Sequence, residues 1–259
     1  MPVAAGLYYF VHQPDAVGRP PVVLIHGAGG DHLYWPSQVR RLQDERVFAV
    51  DLPGHGNSAG VGSHSIEDYG AQIIEFVRAL KLSRVILVGH SMGGAVALQS
   101  AIKYPRRVLG LGIIGSGARL PVNPTLLYNA SKPETAAETV HLVTELSFAA
   151  EIDSRLKDVA AQRLAQTRSS VLYGDFLACD AFNASAEQLA RISIPTLLVF
   201  GAADRMTPVT DGEALRAQIR GARLEVVPKA GHMVMLEQPH RIAQLLGEFV
   251  KSIPYQPGK

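Results

Sequence analysis

Arg84-Val-Ile-Leu-Val-Gly-His-Ser91-Met-Gly-Gly-Ala95 joins an apolar, β-branched run to a segment rich in small residues. The apolar run predicts a buried strand, and the residues after Ser91 predict a helix. A Gly-x-Ser-x-Gly pattern between a strand and a helix is typical of a nucleophile elbow, a sharp turn that lifts a serine hydroxyl above the edge of a sheet. We therefore predict that Ser91 is a nucleophile in strained backbone geometry, and that Gly89 and Gly93 let the strand and the helix approach closely.

The composition is that of a globular protein with a sizeable core. The chain has 259 residues, of which 47% are hydrophobic and 19% are charged, and its formal net charge is +2. This charge balance, without a run of basic residues, predicts no nucleic-acid partner. The single cysteine, Cys179, excludes an internal disulfide and a cysteine-based zinc site. The first fifteen residues lack Lys and Arg, and no stretch is apolar enough to span a membrane, so we expect a cytoplasmic protein without a membrane partner.

Short apolar runs alternate with helical patterns on both sides of the opening stretch. A helix is expected after Ser65, because Ser65-Ile66-Glu67-Asp68 has the pattern of an N-cap followed by acidic residues. The alternation predicts a mostly parallel, doubly wound α/β sheet with helices on both faces. The other predicted strands are Leu7–His12, Val22–His26, Arg46–Asp51, Val108–Gly115, Ile194–Gly201 and Arg223–Pro228, and the other predicted helices are about Pro36–Glu45, Met92–Lys103, Gly212–Ile219 and His240–Ser252.

The alternation stops over residues 119–191, called the insertion below. We predict a core formed by residues 1–118 and 192–259, and an insertion that forms a helical cap, or lid, because insertions at the carboxyl ends of strands line ligand sites in α/β proteins. The alternative is a set of packing helices without a role at the site. The helices predicted in the insertion are Glu134–Ala149, Asp153–Gln166, Val171–Phe182 and Ala186–Ile192. Its apolar residues either line an acyl pocket or hold the insertion together: Leu120, Leu126, Leu127, Tyr128, Leu142, Leu146, Phe148, Phe176 and Phe182.

A serine nucleophile needs a base, and the base needs an acid that orients it. His232 follows the predicted strand Arg223–Pro228 in a glycine-containing loop. Asp204 directly follows the predicted strand Ile194–Gly201, and Asp211 is the alternative acid, although it could instead cap the next helix. Ser91, Asp204 and His232 therefore occur in this order at three strand ends, as in α/β-hydrolases.

These motifs resemble the α/β-hydrolase superfamily, and the resemblance covers roughly residues 22–250. His26-Gly27-Ala28-Gly29 resembles the oxyanion loop of that family, and Asp51-Leu-Pro-Gly-His-Gly-Asn-Ser58 resembles its turn after a strand. The resemblance implies that the backbone amides of Ala28 and Met92 form an oxyanion hole. It also implies that the enzyme needs neither a metal nor an organic cofactor.

Departures from sister families narrow the expected chemistry. Ser91 stands where dehalogenases and epoxide hydrolases carry Asp, and the oxyanion loop continues Gly29-Gly30 where carbon–carbon hydrolases usually show Gly-Pro-Gly. Met92 replaces the Trp of proline iminopeptidases, and Met233 replaces the Lys of hydroxynitrile lyases. The sequence therefore predicts a serine hydrolase of a small-molecule ester or lactone. The alternatives are a carbon–carbon bond hydrolase and a ligand-sensing receptor that turns over slowly.

Overall fold

A central sheet of eight strands organises the protein, for which a computed structural model describes residues 2–16 and 18–256. Its strands are β1 (Val3–Ala4), β2 (Leu7–His12), β3 (Val22–Ile25), β4 (Val47–Val50), β5 (Val85–His90), β6 (Val108–Ile114), β7 (Thr196–Gly201) and β8 (Arg223–Val227). They lie in the order β1-β2-β4-β3-β5-β6-β7-β8. Strand β2 is antiparallel to β1 and β4, and every neighbouring pair from β4 to β8 is parallel. The predicted α/β fold is confirmed.

Helices cover both faces of this sheet. They are α1 (Ser37–Arg40), α2 (Ile66–Ala79), α3 (Met92–Lys103), α4 (Pro124–Ala130), α5 (Ala136–Ser147), α6 (Ser154–Leu164), α7 (Ser169–Ala181), α8 (Ala186–Ala190), α9 (Val209–Gln218), α10 (Val234–Glu237) and α11 (Pro239–Ser252). One core cluster contains Phe76 and Leu98 from α2 and α3, a second contains Trp35 and Phe249, and a further cluster lies within the insertion. Strands β3 to β7 are buried throughout, which explains their nearly continuous apolar sequences.

Local signals account for most helix boundaries. The Ser65 side chain accepts a hydrogen bond from the Asp68 amide at the start of α2, as predicted. The helix predicted over about Pro36–Glu45 is much shorter, because Arg41 leaves helical geometry and Asp44 has a φ of +64°. Helix α3 has the predicted bounds.

The insertion forms five helices, α4 to α8. Helix α4 was not predicted, although Asn123 caps it and Pro124 occupies its first position, which are both signals of a helix start. Among the described residues, no helix has both the length and the apolar character that a membrane-crossing segment requires.

Candidate active site

Ser91 lies in the turn between β5 and α3 and has the backbone angles φ +52° and ψ −120°. A positive φ is strained for serine and persists only where the surrounding structure enforces it. The turn is tight: a Cβ atom at Gly89 would collide with the Gly93 carbonyl, and one at Gly93 would collide with the Ile25 carbonyl. The elbow geometry predicted for Ser91, Gly89 and Gly93 is therefore present.

The structure brings His232 next to Asp204. The His232 Nδ1 atom lies 2.9 Å from Asp204 Oδ2, and both side chains are buried. Asp204 follows β7 and His232 follows β8, so both lie at the same edge of the parallel sheet as Ser91, which follows β5. Asp211 instead lies in the first turn of α9, whose N-cap is Pro208 without a side-chain hydrogen bond. The expectation that Asp211 caps this helix was wrong.

The Asp204 carboxylate is held by four donors. The amides of Met206 and Thr207 each donate to Oδ1 at 2.9 Å, and the Thr207 hydroxyl donates to Oδ2 at 2.8 Å beside the bond from His232. Burial acts to raise the pKa of Asp204, but His232 and Thr207 outweigh it, so this pKa lies below its ordinary value. The carboxylate is therefore ionised and fixed opposite His232 Nδ1. Sequence reasoning missed Thr207, although a Thr three residues after an Asp in a turn is a usable signal.

His90 supports the loop that carries His232. Its Nε2 atom donates to the His232 carbonyl oxygen at 2.9 Å, because a carbonyl can only accept. Its Nδ1 atom is buried without a partner among the described residues. Burial, together with the nearby His232, lowers the pKa of His90 to about 3. His90 is therefore a neutral imidazole that makes a structural contact.

The loop after β3 faces the elbow. His26 Nδ1 donates to the Gly27 carbonyl at 2.8 Å, and His26 Nε2 accepts from the Leu52 amide at 3.0 Å. Within the described part of the chain, no protein acceptor takes a hydrogen bond from the amide of Ala28 or of Met92. Two free amides near a serine nucleophile are what an oxyanion hole requires.

A cavity of about 50 Å³ connects these groups. Ser91, His232 and Ala28 line it together with residues of the insertion. Its other lining residues are Gly27, Tyr34, His90, Val143, Thr144, Ser147, Phe148, Ala160, Leu164, Phe176, Met206 and Met233. Of the nine apolar residues proposed for an acyl pocket, Phe148 and Phe176 line this cavity. Leu120 and Phe182 instead pack in the core, and Leu126 packs inside the insertion.

A second cavity of about 450 Å³ lies among α4, α5, α6 and α7. Most of its surface is apolar, and Ala130, Val140 and Leu172 contribute to it. Leu164 lines both cavities. The Leu164 side chain therefore lies between the cavity at Ser91 and a larger, partly open groove between helices of the insertion.

The insertion is also tied to the loop of His232. The buried Glu237 carboxylate accepts hydrogen bonds from the amides of Gly231, at 2.8 Å, and Ala149, at 3.0 Å. The Met233 amide donates to the Ser147 carbonyl at 2.9 Å. Burial raises the pKa of Glu237 despite these two bonds. Glu237 therefore joins the end of α5 to the loop that carries His232.

Among the residues that the structure describes, no three His, Cys, Asp or Glu side chains are grouped so that they could hold a metal ion. The single cysteine, Cys179, is buried in the core, and burial raises the pKa of its thiol. Cys179 therefore packs as a small apolar side chain.

Comparison with known proteins gives concordant results. The family model described as "Alpha/beta hydrolase family" matches residues 22–245. A 3-oxoadipate enol-lactonase of Acinetobacter baylyi is 30% identical over 239 residues, which cover 90% of each chain. A pimeloyl-[acyl-carrier protein] methyl ester esterase of Neisseria meningitidis is 30% identical over 257 residues, covering 92% of this chain and 95% of the relative.

A solved structure of a thermophilic esterase from Thermogutta terrifontis superposes with a TM-score of 0.85 at 26% identity. The match covers 95% of this chain and 93% of the esterase. The match to the family model extends from β3 into α11 and so includes the elbow, the insertion and the loop of His232. The chain belongs to the alpha/beta hydrolase family.

Proposed function

We propose that the protein is a carboxylic ester hydrolase that cleaves an ester or a lactone through an acyl-enzyme on Ser91. One observation carries the proposal: the strained Ser91 shares a cavity with His232, whose Nδ1 atom is 2.9 Å from the buried Asp204 carboxylate. A serine, a histidine and an aspartate in this relation are the groups that acyl transfer needs.

In this mechanism, the Ser91 hydroxyl oxygen attacks the carbonyl carbon of the ester. His232 takes the hydroxyl proton at Nε2, because its Nδ1 faces Asp204. Asp204 fixes this tautomer and stabilises the imidazolium that forms. The amides of Ala28 and Met92 donate to the negatively charged oxygen of the tetrahedral intermediate.

The intermediate collapses when the C–O bond to the leaving group breaks and His232 donates its proton to the leaving oxygen. His232 then accepts a proton from water, which attacks the acyl-enzyme. His232 returns this proton to the Ser91 oxygen as the acyl C–O bond breaks, which releases the acid and free Ser91. With a lactone, the leaving hydroxyl stays attached to the acyl chain, so the product is a single hydroxy acid. The same groups therefore serve both classes of substrate.

The names of the relatives support an ester or lactone substrate. They include an enol-lactonase, a methyl ester esterase and a thermophilic esterase. We also propose that the insertion acts as a lid, since it supplies Val143, Phe148 and Leu164 to the wall of the catalytic cavity. We also propose a cytoplasmic location, because the first fifteen residues lack Lys and Arg and do not resemble a signal peptide.

Multiple-turnover kinetics on a panel of p-nitrophenyl esters test this proposal. The parent protein should turn over many times, and Ser91→Ala should lower kcat by about 10⁶, as in other serine hydrolases. Ser100→Ala is the matched control, because the buried Ser100 hydroxyl donates to the Val96 carbonyl within α3. Retention of most activity in Ser91→Ala would refute the mechanism, and a single slow turnover of the parent would favour a ligand sensor.

A further inference from the structure

Two side chains of the insertion form hydrogen bonds with Gly29 in the oxyanion loop, which follows β3. The Gly29 amide donates to Oδ2 of Asp175 on α7 at 2.8 Å. The Thr167 hydroxyl, between α6 and α7, donates to the Gly29 carbonyl at 2.7 Å. Both backbone polar groups of Gly29 are therefore bound by side chains that lie more than a hundred residues away in the sequence. Gly29 directly follows Ala28, whose amide is an oxyanion donor in the proposed mechanism.

Asp175 is itself rigidly anchored. Its fully buried carboxylate accepts from His55 Nε2 at 2.8 Å and from the Tyr69 hydroxyl at 2.6 Å, in addition to Gly29. His55 Nδ1 faces the Pro53 carbonyl at 3.1 Å, so both ring nitrogens of His55 face acceptors. Burial opposes protonation of His55, but Asp175 outweighs it and raises the pKa of His55. Asp175 is therefore fixed to the core by hydrogen bonds from His55 and Tyr69.

Packing removes the remaining freedom of the loop. Gly29 has a φ of +65°, and a Cβ atom there would lie 2.9 Å from Leu172 Cδ1. Leu164 lies against the same side of Gly29. The ion pair between Arg163 and Asp31, at 3.2 Å, holds the next turn of the loop to α6. The loop is thus held by polar bonds at Gly29 and by apolar side chains against its Cα atom.

We propose that Thr167 and Asp175 are positioning residues for the oxyanion loop, which make the catalytic power of Ser91 depend on the insertion. Oxyanion donors stabilise a transition state because they are already in place and need not reorganise. Two bonds that fix the peptides on either side of Gly29 also limit the orientation of the preceding Ala28 amide. This inference rests on the proposed function, because it assumes that the Ala28 amide binds the oxyanion.

The Thr167 series is the first test. Thr167→Val keeps the shape of the side chain and removes the bond to Gly29, so kcat should fall about five- to twentyfold, a fraction of the loss caused by deleting an oxyanion donor. KM should change less than about threefold, since the lost bond affects the placement of an oxyanion donor, which acts chiefly on the charge that develops in the transition state. Thr167→Ser keeps the hydroxyl and should retain the parent kcat. Thr135→Val is the matched control, because the Thr135 hydroxyl also bonds backbone carbonyls of the insertion, those of Asn129 and Lys132.

The Asp175 series is the second test. Asp175→Leu is nearly isosteric and leaves Gly29 without an acceptor, and it should lower kcat by about ten- to a hundredfold. Asp175→Asn still offers an oxygen to Gly29 and should retain more activity than Asp175→Leu. Thermal unfolding of each variant reports whether it is folded. Should Asp175→Leu not fold, the Thr167 series decides alone.

A trifluoromethyl ketone separates positioning from general structural damage. Ser91 adds to its carbonyl and creates an oxyanion that occupies the same donors as the transition state. Its inhibition constant should therefore weaken by the same factor as kcat in Thr167→Val and Asp175→Leu, and stay unchanged in Thr135→Val. The positioning role is refuted if Thr167→Val keeps the parent kcat and inhibitor affinity, and Asp175→Leu does the same where it folds. It is also refuted if these variants change only in stability or in KM. If these results are found and Ser91→Ala is inactive, only this inference is overturned. If Ser91→Ala is active, the proposed function is overturned.

Discussion

Leu164→Ala should change which acyl chains the enzyme accepts. Leu164 is 3% exposed and lines both the cavity of about 50 Å³ at Ser91 and the partly open groove of about 450 Å³ between helices of the insertion. The parent should therefore prefer short acyl groups, and removal of this side chain should admit longer ones. Each methylene newly buried contributes up to about 0.8 kcal/mol, or roughly fourfold in kcat/KM. The ratio of octanoyl to butanoyl activity, four methylenes apart, should rise by up to about two orders of magnitude.

The assay is kcat/KM on p-nitrophenyl esters from acetyl to dodecanoyl, for the parent and for two variants. Leu126→Ala is the matched control, because Leu126 is buried in the same cluster of the insertion as Leu164 and lines neither cavity. Both substitutions should cost about 2–5 kcal/mol of unfolding free energy. Leu164 also contacts Gly29, so the absolute rate can fall, and the shape of the chain-length profile is the readout. A profile for Leu164→Ala that matches both the parent and Leu126→Ala would refute the reasoning.

Further expectations concern Asp204, His90 and metals. Asp204→Asn should lower kcat by about 10⁴ with little loss of folding, because the amide no longer holds the His232 tautomer. A loss of kcat under tenfold in steady-state kinetics would contradict the role of Asp204 in orienting His232. The pKa of His90 in the folded protein is lowered to about 3. From pH 6 to pH 4, His90 therefore binds a proton in the unfolded chain but not in the folded chain, so the free energy of unfolding decreases as the pH falls. His90→Gln should reduce the slope of unfolding free energy against pH by about 1.4 kcal/mol per pH unit, measured by urea titrations. Equal slopes for the parent and the variant would contradict this expectation. EDTA should leave kcat/KM unchanged, and a loss that a divalent metal restores would refute the metal-free mechanism.

The elements that carry Ser91, Asp204 and His232 were predictable because each has a local signal. The apolar run before Ser91, the glycines around it and the small residues after it define a strand, a turn and a helix within twelve residues. Asp204 and His232 follow strands that are visible as apolar runs, and the carboxyl ends of parallel strands lie at one edge of a sheet. Topology then brings the three residues together without any sequence signal for the contact itself.

The contacts of the insertion could not be predicted in this way. Asp175 lies in an apolar helix and is 146 residues from Gly29, so neither spacing nor periodicity links the two. The apolar residues of the insertion all look alike in sequence, and only packing separates Phe176, which lines the cavity at Ser91, from Leu126, which does not. Tertiary packing decides which of several chemically equivalent side chains line a cavity. This is why Leu120, Leu126 and Phe182 were predicted as acyl-pocket candidates but pack elsewhere.

Intact-mass and peptide mass spectrometry of the acylated enzyme test the central claim most directly. The protein is mixed with a p-nitrophenyl ester, quenched in acid within the first turnovers and digested. We predict that one acyl group is found per chain on the peptide that contains Ser91, and that Ser91→Ala shows none. An acyl group on another residue, or sustained turnover without any adduct in a folded Ser91→Ala protein, would contradict the account.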